Sequence, residues 1–422
     1  MAFRFLHTGD LHLDSPLTGL GAFEGDDADK AKRIAGAGRA AFVDLVDMAI
    51  ERRVDAVLIA GDLWDGSWRD VSAGLFVQRE TGRLARAGIR TFAILGNHDA
   101  ENSVTDRIRD IDAIHLFGSG AASSVDCGGA VIHGQSYARA ATVENLAARY
   151  PARVPGRINI GLLHTALDGS MGHANYAPCT LADLSARQYD YWALGHVHTR
   201  RILQDKPAAE GGAIAFCGVL QGRHIRETGP KGFYFGEVDE AGVRLEPVDL
   251  PHVAWFLAEI EVGAKPADEA IRTAIAEVAA DLSPALECAV VRVVLTGETD
   301  QHFRLANSRR ALVDQARFAA LGVDGRRILV EDVTIATRPP SDAVIERLPH
   351  HFETLIAQAA KRPEVAETAA AEIGEILNRL PQEVKERLLE RAPEFATFDA
   401  SGELGGPLSD AVGALAARIA DA

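Results

Sequence analysis

The chain has 422 residues, of which 47% are apolar and 25% charged, with 44 basic against 60 acidic side chains and a formal net charge of -16. That length provides for two or three domains with proper cores, and the composition is that of an ordinary globular protein. The acidic excess excludes a protein that holds nucleic acid by its own basic surface: residues 1–250 carry 26 basic against 32 acidic side chains, the remainder 18 against 28. Any anionic substrate must be met by a local patch, bound metal ions or a partner. No stretch approaches 18 uninterrupted apolar residues, and the opening Met1-Ala2-Phe3-Arg4 lacks a charged leader followed by an apolar core. The expectation is a cytoplasmic chain with no membrane span and no signal peptide. Cys127, Cys179, Cys217 and Cys288 are far apart and form no Cys-x-x-Cys pair, so they read as reduced buried thiols.

In chain order, Arg4–Thr8 reads as a strand ending in Gly9-Asp10-Leu11-His12-Leu13-Asp14. Helical periodicity from Lys30 to Arg53 is followed by the apolar strand Val54–Ala60, which ends in Gly61-Asp62-Leu63-Trp64-Asp65. A second helix over Val71–Ala87 precedes the strand Thr91–Leu95, which ends in Gly96-Asn97-His98-Asp99. This alternation predicts an α/β fold with parallel strands, all delivering their polar loops to one sheet edge. Shorter strands with Gly turns over Ser124–Tyr137 indicate a second sheet packed on the first. Two further apolar strands, Arg157–Leu163 and Tyr189–Leu194, end at His164 and at Gly195-His196-Val197-His198, and closing strands and a hairpin follow to Leu250. From Pro251 a β-α-β-α-β rhythm reads as a small α+β domain to residue 337. Arg338-Pro339-Pro340-Ser341 reads as a linker, and Ile345–Ile419, rich in Ala, Glu and Leu at helical spacing, as a helical tail suited to docking on a partner.

The polar strand ends bring together Asp10, His12, Asp62, Asn97, His98, His164, His196 and His198. Carboxylate, imidazole and amide oxygen together suit Mn, Fe or Zn better than a thiolate metal. Seven such ligands can supply two cations if one carboxylate bridges, the arrangement used for in-line displacement at phosphorus.

The ordered set Asp10-x-His12, Gly61-Asp62, Gly96-Asn97-His98-Asp99, His164 and Gly195-His196-x-His198 resembles the calcineurin-like metallophosphoesterase family over about residues 1–250. More narrowly, three stretches resemble the SbcD/YhaO branch of DNA repair exonucleases: Leu6-His7-Thr8-Gly9-Asp10-Leu11-His12-Leu13-Asp14-Ser15-Pro16, Gly172-His173-Ala174-Asn175-Tyr176-Ala177-Pro178 and Gln221-Gly222-Arg223-His224-Ile225. The resemblance implies a four-layer α-β-β-α metallophosphoesterase sandwich over 1–250, a DNA-capping α+β domain over 251–337, and a linker and helical tail over 338–422. It assigns one metal to Asp10, His12, Asp62 and His198. The second goes to Asp62, Asn97, His164 and His196, with Asp62 bridging and manganese the expected ion. His98 is left to protonate the leaving oxygen or stabilise the transition state, with Asp99 orienting it. Asp65, His173, Tyr176 and His224 are candidates for substrate contact or for bracing the ligand loops. The SbcD-like nucleases carry a His three residues after the bridging Asp. Asp65 stands there instead, which leaves exonuclease polarity open and makes the YhaO-like branch the nearer relative.

The leading expectation is a divalent-metal phosphodiesterase acting on DNA, the nuclease subunit beside an SMC-like coiled-coil ATPase of the YhaN or SbcC type. Homodimerisation through helices of the catalytic domain is common in that branch. Two other readings stay open at this stage. One is a phosphoesterase for small molecules such as cyclic nucleotides or lipid precursors, and the other is a weakly catalytic scaffold subunit.

Overall fold

The computed structural model describes residues 2–15, 26–64, 71–100, 112–169, 175–324, 327–340, 362–379 and 385. Asp65, His173 and most of the expected tail lie outside them. Two compact units divide the chain, residues 1–255 with 284–289 and residues 256–283 with 290–422.

In the first unit, β1 (Phe3–Thr8), α1 (Asp26–Glu51), β2 (Ala56–Ile59), α2 (Val71–Arg86), β3 (Arg90–Ala93), the helical turn α3 (Asn97–Ala100) and β4 (Ile114–Leu116) follow one another. β1 to β4 lie side by side in chain order and all parallel. Their alternating side chains explain the near-continuous apolar runs. Leu6, Val57, Ile59 and Ala93 pack on Phe42, Leu45, Phe76 and Val77 of the two crossover helices. Phe5, Leu58 and Phe92 face the other way, into a layer shared with the second sheet. A strand buried on both faces has no polar side to show.

The second sheet is built from β5 (Ser123–Cys127), β6 (Ala130–Gly134), β7 (Ile158–His164), β8 (Tyr191–Gly195), β9 (Arg201–Gln204) and β10 (Ala213–Phe216), in the order β5-β6-β7-β8-β10-β9. β6, β7, β8 and β10 run parallel. Ile132, Ile160, Leu162, Tyr191 and Ala215 meet the first sheet in the shared core. The outer face, with Leu163, Trp192, Leu194 and Phe216, is covered by Leu146, Tyr150 and Leu184 from short helical turns that include α4 (Leu181–Ser185). The result is the expected α/β sandwich of two sheets, its fourth layer made of turns instead of long helices. The closing hairpin, β11 (Gly232–Asp239) and β12 (Gly242–Asp249), returns to the first sheet, where β11 pairs antiparallel with β1.

The second unit holds a three-stranded sheet in the order β13-β14-β15, from β13 (Val253–Glu261), β14 (Cys288–Glu298) and β15 (Ile328–Arg338). α5 (Ala267–Asp281), α6 (His302–Asn307) and α7 (Arg309–Asp324) connect them. α5 packs on α7 and α7 on β15, through Ile271, Ile275, Leu312 and Ala316, all buried. An Arg292–Glu331 ion pair at 2.7 Å joins β14 to β15. α8 (Pro363–Arg379) is the described part of the tail. No helix among the described residues is long and apolar enough to cross a membrane. All four cysteines are buried and unbridged.

Gly161 on β7 tests the tightness of the outer layer, because a Cβ there would come within 2.5 Å of the Trp192 ring. We expect Gly161→Ala to destabilise the chain by about 1–3 kcal/mol, the usual cost of overpacking, read as a lower urea midpoint. An unchanged midpoint would contradict this packing.

Candidate metal centre

Five strand ends converge on one place. Asp10 and His12 follow β1, Asp62 follows β2, and Asn97, His98 and Asp99 open α3 just after β3. His164 ends β7, and His196 and His198 follow β8. The β1–β2 pairing continues into both loops, with Asp10 N donating to Gly61 O at 2.9 Å, His12 N to Asp62 O at 3.0 Å and Leu13 N to Leu63 O at 3.0 Å. The chain holds Asp10, His12, Asp62 and His196 at positive φ, 47°, 40°, 51° and 98°. Each such non-glycine residue costs about 1–3 kcal/mol, so the surrounding packing must impose the geometry. Glycines make the close approach feasible: a Cβ on Gly96 would collide with the Asp62 carboxylate, and one on Gly195 with the Ala60 carbonyl.

Three overlapping groups have ligand atoms within 4.8 Å of one another: Asp10, His12 and His198; His12, Asp62 and His98; Asp62, His164 and His196. Asp62 Oδ2 lies 3.9 Å from His12 Nε2 and 3.4 Å from His164 Nε2, so it joins the third group to the residue the first two share. Asn97 Oδ1 joins the third group, 3.0 Å from His164 Nε2 and 3.2 Å from His196 Nδ1. Backbone groups fix several of these side chains. His196 N donates to Asp10 Oδ2 at 2.9 Å, and His98 N to Asp62 Oδ1 at 3.0 Å. His164 Nδ1 sits 2.8 Å from Ala60 O, so Nδ1 carries a proton and Nε2 is the ring atom that faces Asp62.

The electrostatics are those of buried charge seeking a counter-charge. Burial raises the Asp10 carboxyl above the usual carboxylate value, opposed by the imidazoles of His164 and His198. At Asp62 burial pushes the same way, but His164 and His98 outweigh it and hold the group low. Burial works against a charged His164, yet Asp62 and Asp10 raise it to about 9. Burial and the nearby Arg223 hold His12 well below the imidazole norm. Carboxylate, imidazole and amide donors facing inward at such spacing fit two divalent cations, which would replace protons as the counter-charge.

Asp99 accepts backbone N–H groups from Leu63 at 3.2 Å, Trp64 at 3.0 Å and Gly96 at 3.0 Å. It thereby ties the Asp62 loop to the His98 loop. Burial and the neighbouring Asp62 push its carboxyl up to about 7 against those three donors. His98 is half-buried, its ring 4.8 Å from that of His12 and edge-on to it. Tyr176 lies beside His196, ring centres 5.8 Å apart, and His224 is half-exposed. Two residues of the site escape a reading of strand ends. Glu227 is buried with its Oε1 2.7 Å from His198 Nδ1, and Arg223 donates to Glu227 from the same loop. The signal within reach was the Arg223-His224 stretch, four residues before Glu227.

Asp99→Ala would strand three buried N–H groups, each worth about 1–3 kcal/mol when unsatisfied. We expect a clearly lowered urea midpoint, with Asp99→Asn, which keeps an acceptor oxygen, losing less. Equal stability of all three proteins would contradict the tie.

Residues 3–200 match the calcineurin-like phosphoesterase family and residues 255–338 the middle domain of the metallophosphoesterase YhaO. The chain is 36% identical to the uncharacterized metallophosphoesterase YhaO of Bacillus subtilis over 263 residues, 61% of this chain and 63% of that protein. It is 30% identical to the DNA double-strand break repair protein Mre11 of Sulfurisphaera tokodaii over 216 residues, 50% of this chain and 52% of that one. Identity to Mre11 of Haloferax volcanii is 26% over 352 residues, 82% of this chain and 73% of that one. The chain thus spans roughly half to two thirds of the first two relatives. With two sheets presenting these loops at one edge and both matches in sequence order, residues 3–200 carry a calcineurin-like phosphoesterase domain, followed at 255–338 by a YhaO-type middle domain.

Proposed function

We propose that this chain is a divalent-metal-dependent phosphodiesterase acting on DNA, the nuclease subunit of a complex with a coiled-coil ATPase. The observation that carries the reading is the position of Asp62 within reach of both His12 and His164, a member of two overlapping donor groups. One cation would sit among Asp10, His12, Asp62 and His198, and the other among Asp62, Asn97, His164 and His196. Manganese suits this mixture of oxygen and imidazole nitrogen donors.

Two bound divalent ions supply Lewis-acid activation of water and neutralise charge on the phosphate. The remaining work falls to the chain's own groups. His98 stands at the half-open side of the site with its ring against His12, placed to give a proton to the leaving oxygen. Its backbone N–H is held by Asp62, and Asp99 locks the two loops together, so the imidazole is aimed by the same groups that shape the centre. The DNA assignment draws on the Mre11 relatives, and the ATPase partner on the YhaO-type middle domain and the resemblance of the three loop stretches. The capping role of residues 251–337 and docking by the tail belong to the same proposal. Tyr176 and His224 are proposed at its substrate side.

Hydrolysis of a linear duplex under Mn tests the reading against that of cyclic nucleotides. We expect duplex cleavage that disappears with chelator and returns with Mn. His98→Asn should keep about two metal ions per chain while hydrolysis falls at least a hundredfold, the scale of a lost acid–base group. Cleavage of cyclic nucleotides with no action on DNA would contradict the substrate, and a His98→Asn variant of normal activity would contradict the role of that residue.

A further inference from the structure

Glu227 is a buried carboxylate with both oxygens committed. Oε2 accepts the Arg223 backbone N–H at 2.7 Å, while Oε1 lies 2.7 Å from His198 Nδ1 and 3.1 Å from Arg223 Nη2. A buried carboxylate is costly unless paired, and here the pairing runs directly to one side of the metal centre. The loop that carries it is itself anchored: Gln221 Nε2 donates to Val253 O at 2.7 Å and Trp255 Nε1 to Gly222 O at 3.0 Å.

Two imidazoles of the centre have their outward nitrogen held, by different means. His164 ends a central strand, fully buried, and its Nδ1 meets a backbone carbonyl. His198 lies beyond the end of β8 with its side chain 22% exposed, where ring rotation is less restricted by packing. A charged acceptor is the stronger restraint there. With Nδ1–H donated to Glu227, the Nε2 lone pair is left facing Asp10, whose Oδ1 is 4.0 Å away. A carboxylate behind a ligating imidazole also makes it a better donor.

We infer that Glu227 is a positioning residue: its carboxylate holds the His198 imidazole and the Arg223 guanidinium in one arrangement, so that cation binding at the Asp10, His12 and His198 group depends on it. The inference rests on the metal reading above and concerns one of its two cation positions. Arg223 gains a fixed place from the same carboxylate, and its positive charge is felt at His12.

The test is calorimetric titration of MnCl2 into the metal-free full chain, with Glu227→Ala and the isosteric Glu227→Gln beside the wild type. The wild type should take up two Mn ions. In Glu227→Ala one site should keep its affinity and the other weaken about 10- to 100-fold, the usual loss when such a partner is removed. Glu227→Gln, whose amide oxygen still accepts from His198, should fall between. At one Mn per site, the electron paramagnetic resonance signal of two interacting ions should give way to that of an isolated ion in Glu227→Ala, which a general loss of stability would not produce. Wild-type affinities at both sites in both variants would overturn the inference, and so would equal weakening of both sites. A wild-type chain that takes up no Mn would overturn the proposed function, and this inference with it.

Discussion

Asp10 and Asp62 are held almost wholly out of water, and much of the first unit is arranged around that fact. An ionised carboxylate away from solvent must be paired and hydrogen-bonded. Both are: backbone N–H groups of His196 and His98 donate to them, and imidazoles from three further loops surround them. The cost extends to the backbone, since four of the eight residues at the strand ends adopt positive φ. Local conformational preference would relax such loops. What prevents it is the continuation of the β1–β2 ladder into them and the tie that Asp99 makes between the Asp62 and His98 turns.

The sandwich supplies the rest. Three of the site's loops come from the first sheet and two from the second, so the centre exists only while the shared core of Phe5, Leu58, Phe92, Ile160, Leu162 and Tyr191 keeps the sheets in register. Each buried side chain of that kind contributes roughly 1.5–3 kcal/mol. The same layer therefore stabilises the fold and sets the spacing of the donors. Close contacts at Gly61, Gly96 and Gly195 leave no space for a Cβ, which explains the glycine before Asp62, Asn97 and His196.

Much of this is legible in the residues. Strands such as Ala56–Ile59 are buried on both faces, so they stand out as apolar runs. The polar residues after them stand out because they cluster at the strand ends, whereas buried polar side chains inside the strands, such as His7, Thr91 and Asn159, are few. The helical crossovers between them show the helical period and imply parallel pairing. The return of β11 to pair with β1 is not legible, because an antiparallel hairpin can add to either sheet and its alternation does not choose between them. Glu227 is hidden for a related reason. It follows no strand directly, and its importance comes from a long-range hydrogen bond to His198. The work of Asp99 on backbone groups is equally invisible, since N–H acceptors leave no mark on the sequence.

The central claim is that side chains from five separated loops hold a pair of cations with Asp62 between them. Anomalous diffraction at the manganese edge, from crystals of the full chain grown with Mn, addresses it most directly. The account predicts two peaks, one among Asp10, His12, Asp62 and His198 and the other among Asp62, Asn97, His164 and His196. A single peak away from Asp62, or none at these loops, would contradict it.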